Sequence, residues 1–140
     1  MEIIIAENSG FCFGVKRSVD LAHKALDSER RKYTVGPLIH NPQLVESLEK
    51  QGLKVLTKEE ALEIKDSLIL IRAHGESAEF KKALIENGNE ILDATCPVLT
   101  NIYKKIIEKE EEGYQVIIVG DPNHPEIKAM DSYLKNGIIL

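Results

Sequence analysis

Short apolar runs and longer amphipathic stretches alternate along the chain. Ile3-Ile4-Ile5-Ala6 reads as a buried strand, and Val15, Val19, Ala22 and Leu26 recur at helical spacing, which predicts a helix over 14–30. Tyr33-Thr34-Val35 reads as a short strand stopped by Gly36-Pro37. A helix follows from Pro42, with Leu44, Val45 and Leu48 inward and Gly52 at its end. Leu53–Leu56 is a further strand, a short helix spans 58–63, and Leu68-Ile69-Leu70-Ile71 is a strong strand. A helix from about Ser77 closes at Gly88, and Glu90–Asp93 is the next strand. Val98, Ile102 and Ile106 share one face of a helix running from Pro97 to Gly113. Gln115–Val119 is an apolar strand, Pro125 to Gly137 is helical, and Ile138-Ile139-Leu140 opens another strand.

This βαβα order implies an α/β fold: mostly parallel sheets with flanking helices, in Rossmann-like units. The pattern divides into a first α/β unit over 1–95 and the beginning of a second over 96–140. An apolar strand at the end with nothing to cover it implies that the sequence is part of something longer. At 140 residues the chain has length enough for a sizeable core without disulfide or metal. Its 18 Lys+Arg stand against 23 Asp+Glu, a net charge of −5, which argues against a nucleic-acid binder held by a basic surface. No apolar run approaches the ~20 residues that span a bilayer, and the start lacks the basic region of a signal peptide. Two cysteines far apart form no CxxC and no disulfide framework. The expectation is a cytoplasmic protein with reduced thiols and no nucleic-acid or membrane partner.

Parallel α/β sheets bind ligands outside the carboxyl ends of their strands, so the loops after the predicted strands are where chemistry belongs. In order they are Asn8-Ser9-Gly10-Phe11-Cys12-Phe13-Gly14, Gly36-Pro37-Leu38-Ile39-His40-Asn41-Pro42, Arg72-Ala73-His74-Gly75, Ala94-Thr95-Cys96-Pro97 and Gly120-Asp121-Pro122-Asn123-His124-Pro125-Glu126. Both cysteines and three of the four histidines fall in them. The fourth, His23, sits within the first helix as a surface or packing residue. Pro42, Pro97 and Pro125 occupy the first positions of helices, where a missing N–H costs nothing. Each follows a candidate residue or its neighbour, so helix N-termini with free N–H groups face the same region, which favours an anion there.

A free cysteine is most often a small buried apolar residue. Cys12, however, lies between glycines whose backbone admits close approach, and Cys96 sits at a helix N-terminus, which favours thiolate. Metal, iron–sulfur and redox work are all open to such a pair. The three histidines can complete a Zn or Fe site with the cysteines, or donate hydrogen bonds to a phosphate and leave the thiols to hold iron. Arg72 is an anion contact or a surface ion-pair partner. Glu126 is a proton donor if its pKa is raised, or an ordinary first-turn carboxylate. GxGxxG, Walker, GxSxG and HExxH patterns are absent.

Taken together, Gly10-Phe11-Cys12-Phe13-Gly14-Val15, His40-Asn41-Pro42, Ala73-His74-Gly75, Asp93-Ala94-Thr95-Cys96-Pro97 and His124-Pro125-Glu126 resemble the 4-hydroxy-3-methylbut-2-enyl diphosphate reductases, in the family's order and across the whole chain. The resemblance implies a trilobed α/β fold around a cavity that holds an oxygen-sensitive [4Fe-4S] cluster on three cysteines. Cys12 and Cys96 match the first two metal ligands; the third is absent from this chain, which matches the N-terminal half of a protein roughly twice as long. His40, His74 and His124 match substrate-binding histidines, with His40 and His74 on the diphosphate. Glu126, with His124, matches the proton-delivering catalytic pair. The implied reaction is reductive dehydroxylation of the allylic diphosphate to isopentenyl and dimethylallyl diphosphate, with ferredoxin or flavodoxin as electron donor. Two other classes compete: a diphosphate- or metal-binding module without catalysis, and a thiol redox domain in which Cys12 and Cys96 pair reversibly. The last requires Cα atoms within ~7 Å. Both leave the three matched histidines largely without a role.

Overall fold

The computed structural model describes residues 1–7 and 9–140; Asn8 of the first candidate loop lies outside them. The element order is α1 (Phe13–Leu26), β1 (Arg31–Val35), α2 (Pro42–Lys50), β2 (Leu53–Leu56), α3 (Lys58–Glu63), β3 (Ser67–Ile71), α4 (Ala78–Glu86), β4 (Glu90–Asp93), α5 (Pro97–Glu111), β5 (Ile117–Ile118), α6 (Pro125–Asp131) and β6 (Ile138–Ile139). β1 to β4 form one parallel sheet in the order β2-β1-β3-β4, and β5 pairs with β6 in a second, also parallel.

β3 is buried at every position because both of its faces are covered, and its alternation sorts the core. Leu70 points to one face, where it joins Ala22 of α1, Leu48 of α2, Leu53 and Ala94, with Val15, Val19 and Leu44 packed around them. Ile69 and Ile71 point to the other, against Ala61 of α3 and Leu84 and Phe80 of α4. The result is three layers, with α1 and α2 on one side of the sheet and α3 and α4 on the other. A separate cluster of Leu99, Tyr103 and Ala129, flanked by Met130 and Tyr133, joins α5 to α6.

Local chemistry sets the helix starts. Asn41 and Ser77 accept from the backbone N–H groups of Leu44 and Phe80, and Thr57 forms a reciprocal capping box with Glu60. Pro42, Pro97 and Pro125 are each the first helical residue, as expected.

Four expectations change. Ile3-Ile4-Ile5 is not a buried strand: these side chains are 73%, 85% and 76% exposed, and the segment pairs with neither edge of the sheet. Apolar periodicity reports a surface suited to burial; a strand also needs a ladder partner. α1 ends at Leu26 rather than near 30, because Asp27 and Ser28 turn the chain into β1. The 115–119 strand shrinks to Ile117–Ile118, matched in register to the two residues of β6. α6 ends at Asp131, short of Gly137, because the Glu110 carboxylate accepts from the N–H groups of Lys135 and Asn136 (2.8 Å each) and draws them out of helical register. Among the described residues no helix is long and apolar enough to cross a membrane.

Candidate functional site

The strand order reverses between β1 and β3: the chain steps from β1 out to β2, then returns to the opposite side of β1 for β3 and β4. At such a point the loops after the two strands diverge and leave a crevice at their carboxyl ends. The β1–α2 loop carries His40 and the β3–α4 loop carries His74. Their rings meet with centroids 4.5 Å apart at 56°. His124, from the loop before α6, stands edge-on to His74 at 6.2 Å. Three imidazoles from three loops thus come together at this end of the sheet.

The loops are joined through their backbones beyond the ends of the strands. Ala73 N–H donates to Leu38 C=O (3.3 Å), Cys96 N–H donates to Ala73 C=O (2.9 Å) and Ala94 N–H donates to Ile71 C=O (3.0 Å). The His40, His74 and Cys96 loops are therefore tied to one another. Within the last, the Asp93 carboxylate accepts from the Thr95 N–H (2.9 Å), the Thr95 hydroxyl and Lys81 Nζ (3.2 Å). Burial alone would raise Asp93, but those bonds outweigh it and hold the carboxyl below its ordinary value.

His74 is buried, and its Nδ1 has no hydrogen-bond partner within the protein. Its pKa is pushed down to about 4, first by burial and then by its electrostatic interactions with His40, Arg72 and His124. At neutral pH it is an uncharged imidazole. Gly75 follows at φ +80°, and a Cβ there would run into the Tyr103 hydroxyl. That hydroxyl donates to the His74 C=O (3.3 Å), and the Tyr103 ring stacks on Tyr133 at 4.4 Å. Burial raises the Tyr103 phenol well above its ordinary value, so it stays a donor. On the far side of the loop Glu76 is almost wholly buried between Lys58 and Arg72, with Arg72 Nη2 donating to Oε1 at 3.1 Å. A buried polar atom without a partner costs roughly 1–3 kcal/mol, and the two such side-chain atoms found among the described residues, Arg72 Nε and His74 Nδ1, both lie on this loop. An anionic guest in the crevice is one way to satisfy them.

Both cysteines are free and both are N-cap residues, Cys12 of α1 and Cys96 of α5, and neither thiol caps its helix with a side-chain hydrogen bond. Each cysteine thus stands at the start of a helix, the positive end of its dipole, where an anionic group is favoured. Gly14 lies against Cys96: a Cβ built on it would sit 2.6 Å from Sγ. The thiols fit a metal or cluster as donors of the right softness, but no group of three or more His, Cys, Asp or Glu that could hold a metal ion is assembled among the described residues. The chain offers part of a ligand set, not a closed one. His124 caps α6, its Nδ1 accepting from the Glu126 N–H at 3.3 Å. That acceptor role places the proton of the neutral ring on Nε2. Glu126, half-buried in the first turn, stands beside it. His23 is an exposed residue of α1, apart from the site.

Glu76, Tyr103, Arg17 and Ser18 support the site from behind without belonging to any motif in the sequence. Glu76 and Tyr103 sit in ordinary helix or loop positions and carry no motif signal. A small polar residue on the apolar face of α1 was the one available hint for Ser18.

The family model described as LytB protein matches residues 3–140. A 4-hydroxy-3-methylbut-2-enyl diphosphate reductase from Geobacter metallireducens is 41% identical over 140 residues, covering 100% of this chain and 49% of the relative. One from Aquifex aeolicus is 43% identical over 136 residues, covering 96% and 46%. A solved structure of (E)-4-hydroxy-3-methyl-but-2-enyl diphosphate reductase, described as the terminal enzyme of the non-mevalonate pathway, superposes with TM-score 0.88 at 42% identity, covering 99% of this chain and 50% of its own. The Plasmodium falciparum reductase superposes at 0.87 with 25% identity, covering 96% and 42%. The chain spans about half the length of the curated relatives it matches. It belongs to the LytB family, that of the 4-hydroxy-3-methylbut-2-enyl diphosphate reductases.

Proposed function

We propose that this chain supplies the diphosphate-binding and proton-donating half of a 4-hydroxy-3-methylbut-2-enyl diphosphate reductase, with the first two thiolate ligands of its [4Fe-4S] cluster. The observation that carries the reading is the convergence of His40, His74 and His124 at the switch point of the sheet, on loops whose backbones are tied to Cys96. Residues 1–95 form one α/β unit of the enzyme and 96–140 begin the next.

Cys12 and Cys96 would hold the cluster, which when bound would supply electrons and Lewis acidity. His40 and His74 donate hydrogen bonds to the diphosphate. His74, an uncharged imidazole at neutral pH, has one ring N–H to donate. Helix N-termini facing the crevice add positive potential without carboxylates to repel the substrate. Glu126, two residues after His124, donates a proton to the departing hydroxyl, which leaves as water. With two electrons and a second proton the allylic carbons become isopentenyl or dimethylallyl diphosphate. Ferredoxin or flavodoxin supplies the electrons in the cytoplasm.

The test is iron and acid-labile sulfide after anaerobic reconstitution of the chain, with Cys96→Ala as control, and NMR of the four histidines on adding inorganic diphosphate. The expected result is iron and sulfide in about equal amounts, as a [4Fe-4S] cluster requires, lost in Cys96→Ala, with shifts at His40 and His74 but not His23. Iron that survives Cys96→Ala, or diphosphate shifts absent from His40 and His74, overturns the reading.

A further inference from the structure

The segment that delivers Cys96 is held through its backbone, and α1 takes three of its carbonyls. The N–H groups of Ala94 and Cys96 go to β3 and its loop. The carbonyls of Asp93, Ala94 and Thr95 go to α1: Ser18 Oγ donates to Ala94 C=O (2.8 Å), and the Arg17 guanidinium spans Thr95 C=O through Nη1 (3.1 Å) and Asp93 C=O through Nη2 (3.3 Å). Ser18 is wholly buried and bonds also to Gly14 C=O within its own helix (3.0 Å). Gly14, Arg17 and Ser18 stand at i, i+3 and i+4, one face of the helix.

Gly14 belongs to the same contact. Its φ is outside the left-handed region, so an alanine would meet no backbone penalty and would gain about 1 kcal/mol of helix propensity. What excludes a side chain is Cys96 Sγ. α1 is thus pressed against the Cys96 loop closely enough that a methyl group on residue 14 would displace Cys96 Sγ, and Cys12 is the N-cap of that same helix.

We propose that Arg17 and Ser18 are positioning residues: their three hydrogen bonds to Asp93, Ala94 and Thr95 clamp α1 to the Cys96 loop and so set the two thiols relative to each other. The inference rests on the reading of Cys12 and Cys96 as a working pair. It assigns no contact with substrate or metal to either residue. Arg17 acts through its planar fork, which bridges two carbonyls at once, and a lysine of equal charge lacks that fork.

The experiment is metal-free, so its outcome is separate from that of the iron measurement. The full chain is alkylated briefly with iodoacetamide under native conditions, and the Cys96 and Cys12 rates are read by peptide mass spectrometry. Arg17→Lys keeps the charge beside the thiol, and Ser18→Ala removes the buried hydroxyl. Ser67→Ala is the control, since it removes another buried hydroxyl, which donates to Lys65 C=O at the opposite end of β3. The expected result is a Cys96/Cys12 rate ratio at least about fivefold higher in Arg17→Lys and Ser18→Ala, with Cys12 unchanged and Ser67→Ala at the wild-type ratio. A ratio unmoved in Arg17→Lys, or moved equally by Ser67→Ala, overturns the proposal. Should Ser18→Ala not fold, Arg17→Lys, an exposed side chain of α1, decides the question alone.

Discussion

Lowering the pH from 7 to 5 should weaken the fold through one side chain, His74. Its imidazole is buried, with Nδ1 unpartnered, and its pKa lies at about 4 against an unfolded value of 6.5. The unfolded chain therefore takes up a proton over a range in which the folded chain does not. Stability is fully present above pH 6.5 and is lost as the pH falls toward 4. The linkage relation gives about 2 kcal/mol lost at pH 5 and about 3 at pH 4. Urea unfolding followed by far-UV circular dichroism at both pH values measures it. His74→Asn removes the titration and keeps a side-chain donor. His23, His40 and His124 are exposed and present in both proteins. The wild type should lose about 2 kcal/mol more than His74→Asn between pH 7 and 5. Equal losses, within the ~10–15% uncertainty of extrapolation, would refute the claim that His74 is held neutral by burial.

Three further outcomes follow from the packing around that loop. Gly75→Ala forces a side chain to φ +80° and against the Tyr103 hydroxyl, and should cost about 2 kcal/mol or more by thermal unfolding, with part recovered in the double variant carrying Tyr103→Phe. Glu76→Gln leaves Arg72 and Lys58 without their buried carboxylate and should cost about 3 kcal/mol in urea unfolding; a neutral result would mean that the triad is not closed in solution. Thr57→Ala deletes the capping box of α3 and should cost about 1 kcal/mol, while Thr57→Ser restores most of it.

Much of this molecule can be read from residue order. Helix starts are legible because their causes are local: Asn41, Thr57 and Ser77 each satisfy an N–H three residues on, and proline at the first helical position needs no partner elsewhere. β3 is legible because a strand covered on both faces is apolar at consecutive positions. The candidate residues are legible because parallel sheets expose their chemistry in the loops that follow the strands. Where a neighbour decides, the sequence misleads. Ile3-Ile4-Ile5 has the pattern of a strand without a partner, and α6 ends early because a carboxylate from α5 captures the next N–H groups.

Tertiary structure alone decides the rest, because it depends on which distant segments become neighbours. The strand order β2-β1-β3-β4 makes the β1 and β3 loops the two walls of one crevice. Burial in that crevice, a property of the assembled fold, turns His74 from an ordinary histidine into a neutral donor. The pairing of Arg17 and Ser18 with the carbonyls before Cys96 spans more than half the chain. Local propensity carries no information about such a contact, and it is this contact that brings the helix of one cysteine against the loop of the other.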